Sequence, residues 1–263
     1  MHSRKNYYVG FLACLLFVIL TCVNSKAEQT ENFNSVILNA IASMPTGGGY
    51  ATSGLAMSRL PQAVVMREGK LIINPSVAKP SFCSEATYLV FLKAIAHLQE
   101  QGTCTLSPEI LAVLQPKGQP DGQGIWGRWN ANGPGVARLF YALGLGTNFT
   151  NLAAAQPGDF LKIFWNDGLG ATEHGHLVVY LGTEKREGID IINFWSSNIP
   201  SGYGKKSCRR SSIHRMLFSR LTNPQALLKT LALPNNDPYL ASLLHRSTTP
   251  EEMKRYCGIT DAP

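Results

Sequence analysis

The 263 residues contain no internal repeat, no low-complexity linker and no basic run dense enough to argue for nucleic acid. Repeat architectures and charged nucleic-acid tails are thereby excluded. Cysteine is scarce, and none of the six cysteines is spaced as a metal knuckle, so no metal and no cofactor is expected. Long apolar runs are scarce too. The run from Val9 to Val23 is 15 residues, short for a helix that must cross a bilayer, and no stable membrane insertion is expected.

That run instead fits an export signal, with Arg4 and Lys5 before it and the small residues Ser25 and Ala27 after it. Residues 1–27 are therefore expected to be a signal peptide. Lipidation at Cys22 is not favoured, because Thr21 is bulkier than the Gly, Ala or Ser expected before a lipidated cysteine. Removing Arg4, Lys5 and Lys26 from 24 basic residues leaves 21 against 17 acidic ones, or about +4. This mild charge suits an anionic surface such as a cell wall. Cys83, Cys104, Cys208 and Cys257 remain, and in an oxidising compartment they allow two disulfides, or one disulfide with two free thiols, one of them a nucleophile. A Cys208–Cys257 bridge fastening the tail to the last strand is expected.

Asn32 to Met44 has helical spacing of Phe33, Val36, Ile37, Ala40 and Ile41, and AVVMREGKLIINP reads as a hairpin turning at Glu68-Gly69. From Ser84 to about Glu100 there is neither Gly nor Pro. Only Lys93, His97, Glu100 and Gln101 form a polar stripe, so this helix is expected to be buried through a domain. A short helix from Pro108, a turn-rich loop, the polar-aromatic stretch Trp126–Gly135 and a helix over Val136–Leu145 follow. Asn148 opens a glycosylation sequon. From Pro157 the period becomes two through DFLKIFW, GHLVVYLG, GIDIINFW and SIHRMLFSRL, most simply an antiparallel meander; the tail returns to helix at Gln225–Leu231, Pro238–His245 and Thr249.

Cys83 falls in the first turn of the long helix, where unpaired N–H groups favour a thiolate and can hold an oxyanion. The alternative is a buried structural cysteine. A nucleophilic thiol needs a base, and His176 stands at a strand entrance, with His174 as its competitor two residues away on the same face. Here FCSEATYLVFL, QPGDFLKIFW and HGHLVVYLG, in that order, resemble the blocks of NlpC-type cell-wall peptidases, relatives of the papain-like enzymes. The resemblance covers roughly Lys79 to Trp195.

That resemblance implies an α+β, papain-like fold, with the Cys-bearing helix packed on an antiparallel sheet. With the pattern along the chain, the expected boundaries are 28–78 for a lead-in helix and hairpin, 79–220 for the catalytic domain and 221–263 for a helical tail on the same domain. The resemblance assigns Cys83 as nucleophile, His176 as base and Asn193 as the group orienting the imidazole. The family usually carries Asp before the nucleophile and Gly two residues after it, where this chain has Phe82 and Glu85. Glu85 in the first turn would raise the thiol pKa or bind a substrate ammonium. The Asp121–Gly135 stretch is expected to be a substrate loop, with Trp126, Arg128, Trp129, Asn130 and Asn132 as binding residues and Arg128 facing a carboxylate; the alternative is that Trp126 and Trp129 plug the core while the polar residues satisfy the loop's own backbone.

The leading expectation is an exported cysteine amidase or endopeptidase acting on peptidoglycan or its fragments, with no nucleic-acid partner. The same scaffold also performs acyl transfer. A different class is a non-catalytic wall- or glycan-binding protein, which has no need of both Cys83 and His176.

Overall fold

The computed structural model describes residues 33–260; the expected signal peptide and Cys22 lie outside the described residues. α1 (Asn34–Ala42) buries Ile37, Ala40 and Ile41 on one face, after which the chain enters the short strand β1 (Gly47–Gly48). α2 (Gly54–Ala63) leads into the hairpin β2 (Val64–Arg67) and β3 (Lys70–Ile73). Its turn places Glu68 and Gly69 at φ 49° and 73°, the two left-handed residues that a tight hairpin requires.

α3 (Cys83–Glu100) follows and is the longest helix described, 18 residues, with its outward stripe at Lys93, His97 and Glu100. Next come α4 (Pro108–Val113), α5 (Gly124–Asn130) and α6 (Gly135–Leu143), the last closed by Gly144 in the left-handed region. The strands β4 (Gly146–Phe149), β5 (Phe160–Phe164), β6 (Gly175–Arg186), β7 (Ile189–Asn198), β8 (Gly202–Arg209) and β9 (Arg215–Leu221) complete the sheet. A 3₁₀ helix (Pro224–Ala232), rather than the α-helix expected there, leads to α7 (Pro238–Ser242) and α8 (Pro250–Tyr256). Thr249 caps α8 by accepting from the Glu252 N–H at 3.1 Å.

The chain is mixed α+β with a seven-stranded antiparallel sheet in the order β1-β8-β7-β6-β5-β9-β4. It is not a simple meander. After β8 the chain passes through Arg210–Ser212, and Ile213 packs with Ile192, Phe194 and Phe218, so that β9 inserts beside β5 instead of extending past β8. One face of the sheet carries Leu161, Ile163, Val178 and Phe218. The other meets α3, where Phe91, Trp129, Phe140 and Phe160 form an aromatic cluster, Trp129 stacking on Phe91 at 4.9 Å and meeting Phe160 edge-on at 5.1 Å. This cluster fixes where the start of α3 lies against the sheet.

One further expectation is corrected. All four described cysteines are free; Cys208 packs against the Ile192–Phe218 cluster and Cys257 against Phe164 and Met253, so the two do not bridge. The Asn148 amide nitrogen donates to the carbonyls of Ala137 and Cys257, at 2.8 and 2.9 Å, so both its hydrogens are used within the fold. Among the described residues no helix is long and apolar enough to cross a membrane.

Candidate active site

The approach to Cys83 is bolted to the sheet by two neighbouring serines. Ser196 donates its hydroxyl to the Leu177 carbonyl at 2.8 Å and Ser197 donates to the Ser81 carbonyl at 2.9 Å, both buried. One end of β7 thereby holds the residue after His176 and the residue two before Cys83. A strap closes over the same point: Ala51 donates to the Ser81 carbonyl, Ser81 to Gly49, and Tyr50 to Pro200. Gly48 permits the approach, at φ 94° and with a Cβ there standing 2.4 Å from the Lys79 side chain. The strap delivers Tyr50 to the thiol.

Phe82, extended at φ −120° and ψ 177°, is the N-cap of α3, so Cys83 is its first helical residue. The thiol is half-buried and lies beside the His176 ring, close enough for the imidazole to act on its ionisation. His176 Nε2 lies 3.1 Å from Asn198 Oδ1. The Asn198 amide nitrogen is occupied by the carbonyls of Ser196 and Gly204, at 3.1 and 2.8 Å, so its oxygen must face the ring. Nε2 therefore carries the hydrogen, and Nδ1 is left as the base toward Cys83. Burial pushes the thiol pKa up, but the hydrogen bond and charge of His176, the Leu177 N–H and the charge of Lys162 outweigh it and bring the thiol down to about 7. Tyr50 moves the other way: burial and the neighbouring thiol raise it, so it stays a phenol able to donate.

Asn193 is not the orienting residue. It stands half-exposed and donates to Glu184 at 3.0 Å. The β6–β7 pairing sets Val179 opposite Trp195, and continuing that antiparallel register brings Asn198, not Asn193, to the level of His176. His174 is exposed, its backbone paired with Asn166 and Trp165.

A cavity of about 440 Å³ opens beside the thiol, lined by Tyr50, Cys83, Asn130, Asn132, Lys162 and Glu173 among others. The expected substrate loop is largely a helix, α5, and it divides. Trp126 is buried against Phe82 and Tyr88, while Arg128 is buried in an ion pair with Asp237 at 3.1 Å and donates to the Pro234 carbonyl. Neither lines this cavity. Trp129 forms part of its wall, with its ring N–H bonded to Thr87 at 3.3 Å. Asn130 accepts from the Ser84 hydroxyl at 2.5 Å and donates to Asp121 at 3.3 Å; the Asn132 N–H donates to the same carboxylate at 3.1 Å.

Glu85 is wholly buried and cannot meet a substrate ammonium. It reaches back to accept from the Phe82 N–H at 3.2 Å, and its other oxygen has no partner among the described residues. Burial, and next to it the charge of Cys83 set against the Phe82 bond, raise its pKa to about 8. No protein family, no curated protein and no solved structure matches the chain. Its chemistry therefore has to be argued from the site.

Proposed function

We propose that this protein is an exported cysteine amidase or endopeptidase of papain-like design that hydrolyses amide bonds in peptidoglycan stem peptides. The observation that carries this is the chain Cys83–His176–Asn198, opening on a cavity with the thiol at about 7. A thiol of that pKa at a helix start, with a base held in one tautomer, supports nucleophilic catalysis better than a structural role.

Sγ of Cys83 attacks the amide carbonyl as its proton passes to Nδ1 of His176. The carbonyl oxygen becomes an oxyanion, for which the Cys83 N–H and the Tyr50 hydroxyl are the candidate donors. Collapse breaks the C–N bond, and the Nδ1 proton goes to the leaving amine, giving a thioester. Water then adds to the thioester, losing its proton to Nδ1, and the second collapse returns that proton to sulfur as the acid departs. Asn198 holds the ring through both halves.

Iodoacetamide labelling of the folded protein at a series of pH values tests the nucleophile. Cys83 should react with an apparent pKa near 7, well before Cys257, whose burial pushes it up to about 12. Labelling of Cys83 that rises only near pH 9 would remove the proposal.

A further inference from the structure

The strand Phe160–Phe164 carries one charged residue, Lys162, on the same face as Phe160 and Phe164, where an unsatisfied ammonium is costly. Lys162 Nζ lies 2.6 Å from Glu173 Oε1, the two side chains being 15% and 6% exposed, and both line the cavity beside Cys83. A third charge, Asp121, lines it too.

The three are not equally satisfied. The second oxygen of Glu173 accepts from the N–H groups of Gly133 and Gly170, and both oxygens of Asp121 are taken by Asn130 and Asn132. Among the described residues Lys162 has a single acceptor, Glu173; its other close neighbour is the Phe164 ring at 5.5 Å. An ammonium has three donors, so two remain for the cavity. The pair lies close over Gly175, where a Cβ would stand 2.8 Å from Lys162 Nζ and 3.0 Å from Glu173 Oε1. The charge of Lys162 also reaches the Cys83 thiol and favours its ionised form.

From this geometry we infer that Lys162, clamped by Glu173, is a specificity residue that binds a substrate carboxylate next to the scissile amide. The inference rests on the hydrolase proposed above. It replaces the carboxylate role expected of Arg128, whose guanidinium is committed to Asp237. That carboxylate belongs either to the acyl residue or to the leaving amino acid.

Two pairs of acetylated peptides test it. In one pair the residue giving the scissile carbonyl bears a carboxylate or a carboxamide; in the other the leaving residue does. The wild-type protein should favour the acid in one pair by about tenfold in kcat/KM, the worth of a charge-assisted hydrogen bond, and the pair that shows it identifies the source. Lys162→Met should lose that preference, and Lys162→Arg should restore part of it. Because Lys162→Met leaves Glu173 buried without its cation, the double variant Lys162→Met, Glu173→Gln is measured beside it and should lose the preference equally. Equal rates within both pairs for the wild type, or a preference that survives in the double variant, would overturn the inference and leave the hydrolase standing. Calorimetric binding of the same peptides to Cys83→Ala needs no turnover. Lys162-dependent tighter binding of the acid, with no cleavage by the wild type, would sustain the carboxylate site and end the hydrolase. Indifferent binding would end the site.

Discussion

At Glu85 a carboxyl is enclosed in the turn that carries Cys83, and its effect on stability has a definite sign. In the folded chain it keeps its proton to about pH 8, while its ordinary value is 4.5. Its stabilising contribution is complete below pH 4.5 and is lost as pH rises to about 8, a loss on the order of a few kcal/mol. Glu85→Gln keeps an acceptor for the Phe82 N–H and cannot ionise. Its melting temperature relative to the wild type should therefore climb across that window in a pH series; a difference independent of pH would mean that Glu85 titrates normally. Asn198 is argued in the same terms. Its bond to the imidazolium is worth about 1.5–3 kcal/mol, so Asn198→Ala should lower kcat at least about tenfold with KM little changed. Asn193→Ala should leave kcat and stability as they are, and steady-state kinetics of the two variants decide between them. Cys83 and His176 were candidates from the sequence because a helix start and a strand entrance are local patterns, while the preference for His176 over His174 came from the family resemblance. Asn198 was not, since strand register is a long-range property and the extended β6–β7 hairpin shifts the count by five residues.

Among elements, α5 departs furthest from its pattern. Seven residues with Gly124 and Gly127 inside them look like a loop, yet Gly127 sits where a Cβ would come within 2.0 Å of the Pro120 carbonyl oxygen, so glycine here marks close packing. The helix is held by tertiary contacts, chiefly Trp129 in the aromatic cluster and Arg128 on Asp237. Arg128→Leu should accordingly destabilise the fold by about 3 kcal/mol, because it strips a buried carboxylate of one of its two arginines. Thermal unfolding should show a fall on the order of 6–12 °C, with KM for the proposed reaction unchanged in the folded protein. An unchanged melting temperature with a raised KM would return Arg128 to the substrate. The hairpin at Glu68-Gly69 and the central helix were legible because short-range turn chemistry and a long apolar run decide them. β4 and β8 were not: Gly-Thr-Asn-Phe and Gly-Tyr-Gly-Lys-Lys-Ser-Cys-Arg lack the alternation that marks a half-buried strand, and only pairing with β9 and β7 makes them strands.

Across the whole molecule the site is assembled from α3, the ends of β6 and β7 and the strap before α2, pieces that lie up to 148 residues apart from Tyr50 to Asn198. What joins them is hydrogen bonding from Ser196, Ser197 and the strap to the neighbours of the reacting groups, with no help from a disulfide among the described residues. Dithiothreitol should thus leave the melting temperature unchanged, and a drop would reveal a bridge. The α+β class and the order of helix and strand blocks could be read along the chain, since both follow from periodicity. The return of β9 beside β5 could not, being fixed by how Ile213 packs on the sheet. All of this bears on one claim, that Cys83, His176 and Asn198 together cleave amides of the cell wall. Mass spectrometry of purified muropeptides after incubation with the protein tests it most directly. The wild type should convert them to fragments heavier in sum by one water per bond cut, and Cys83→Ala, equally folded, should leave them intact; unaltered muropeptides with the wild type, or the same fragments with Cys83→Ala, would contradict it.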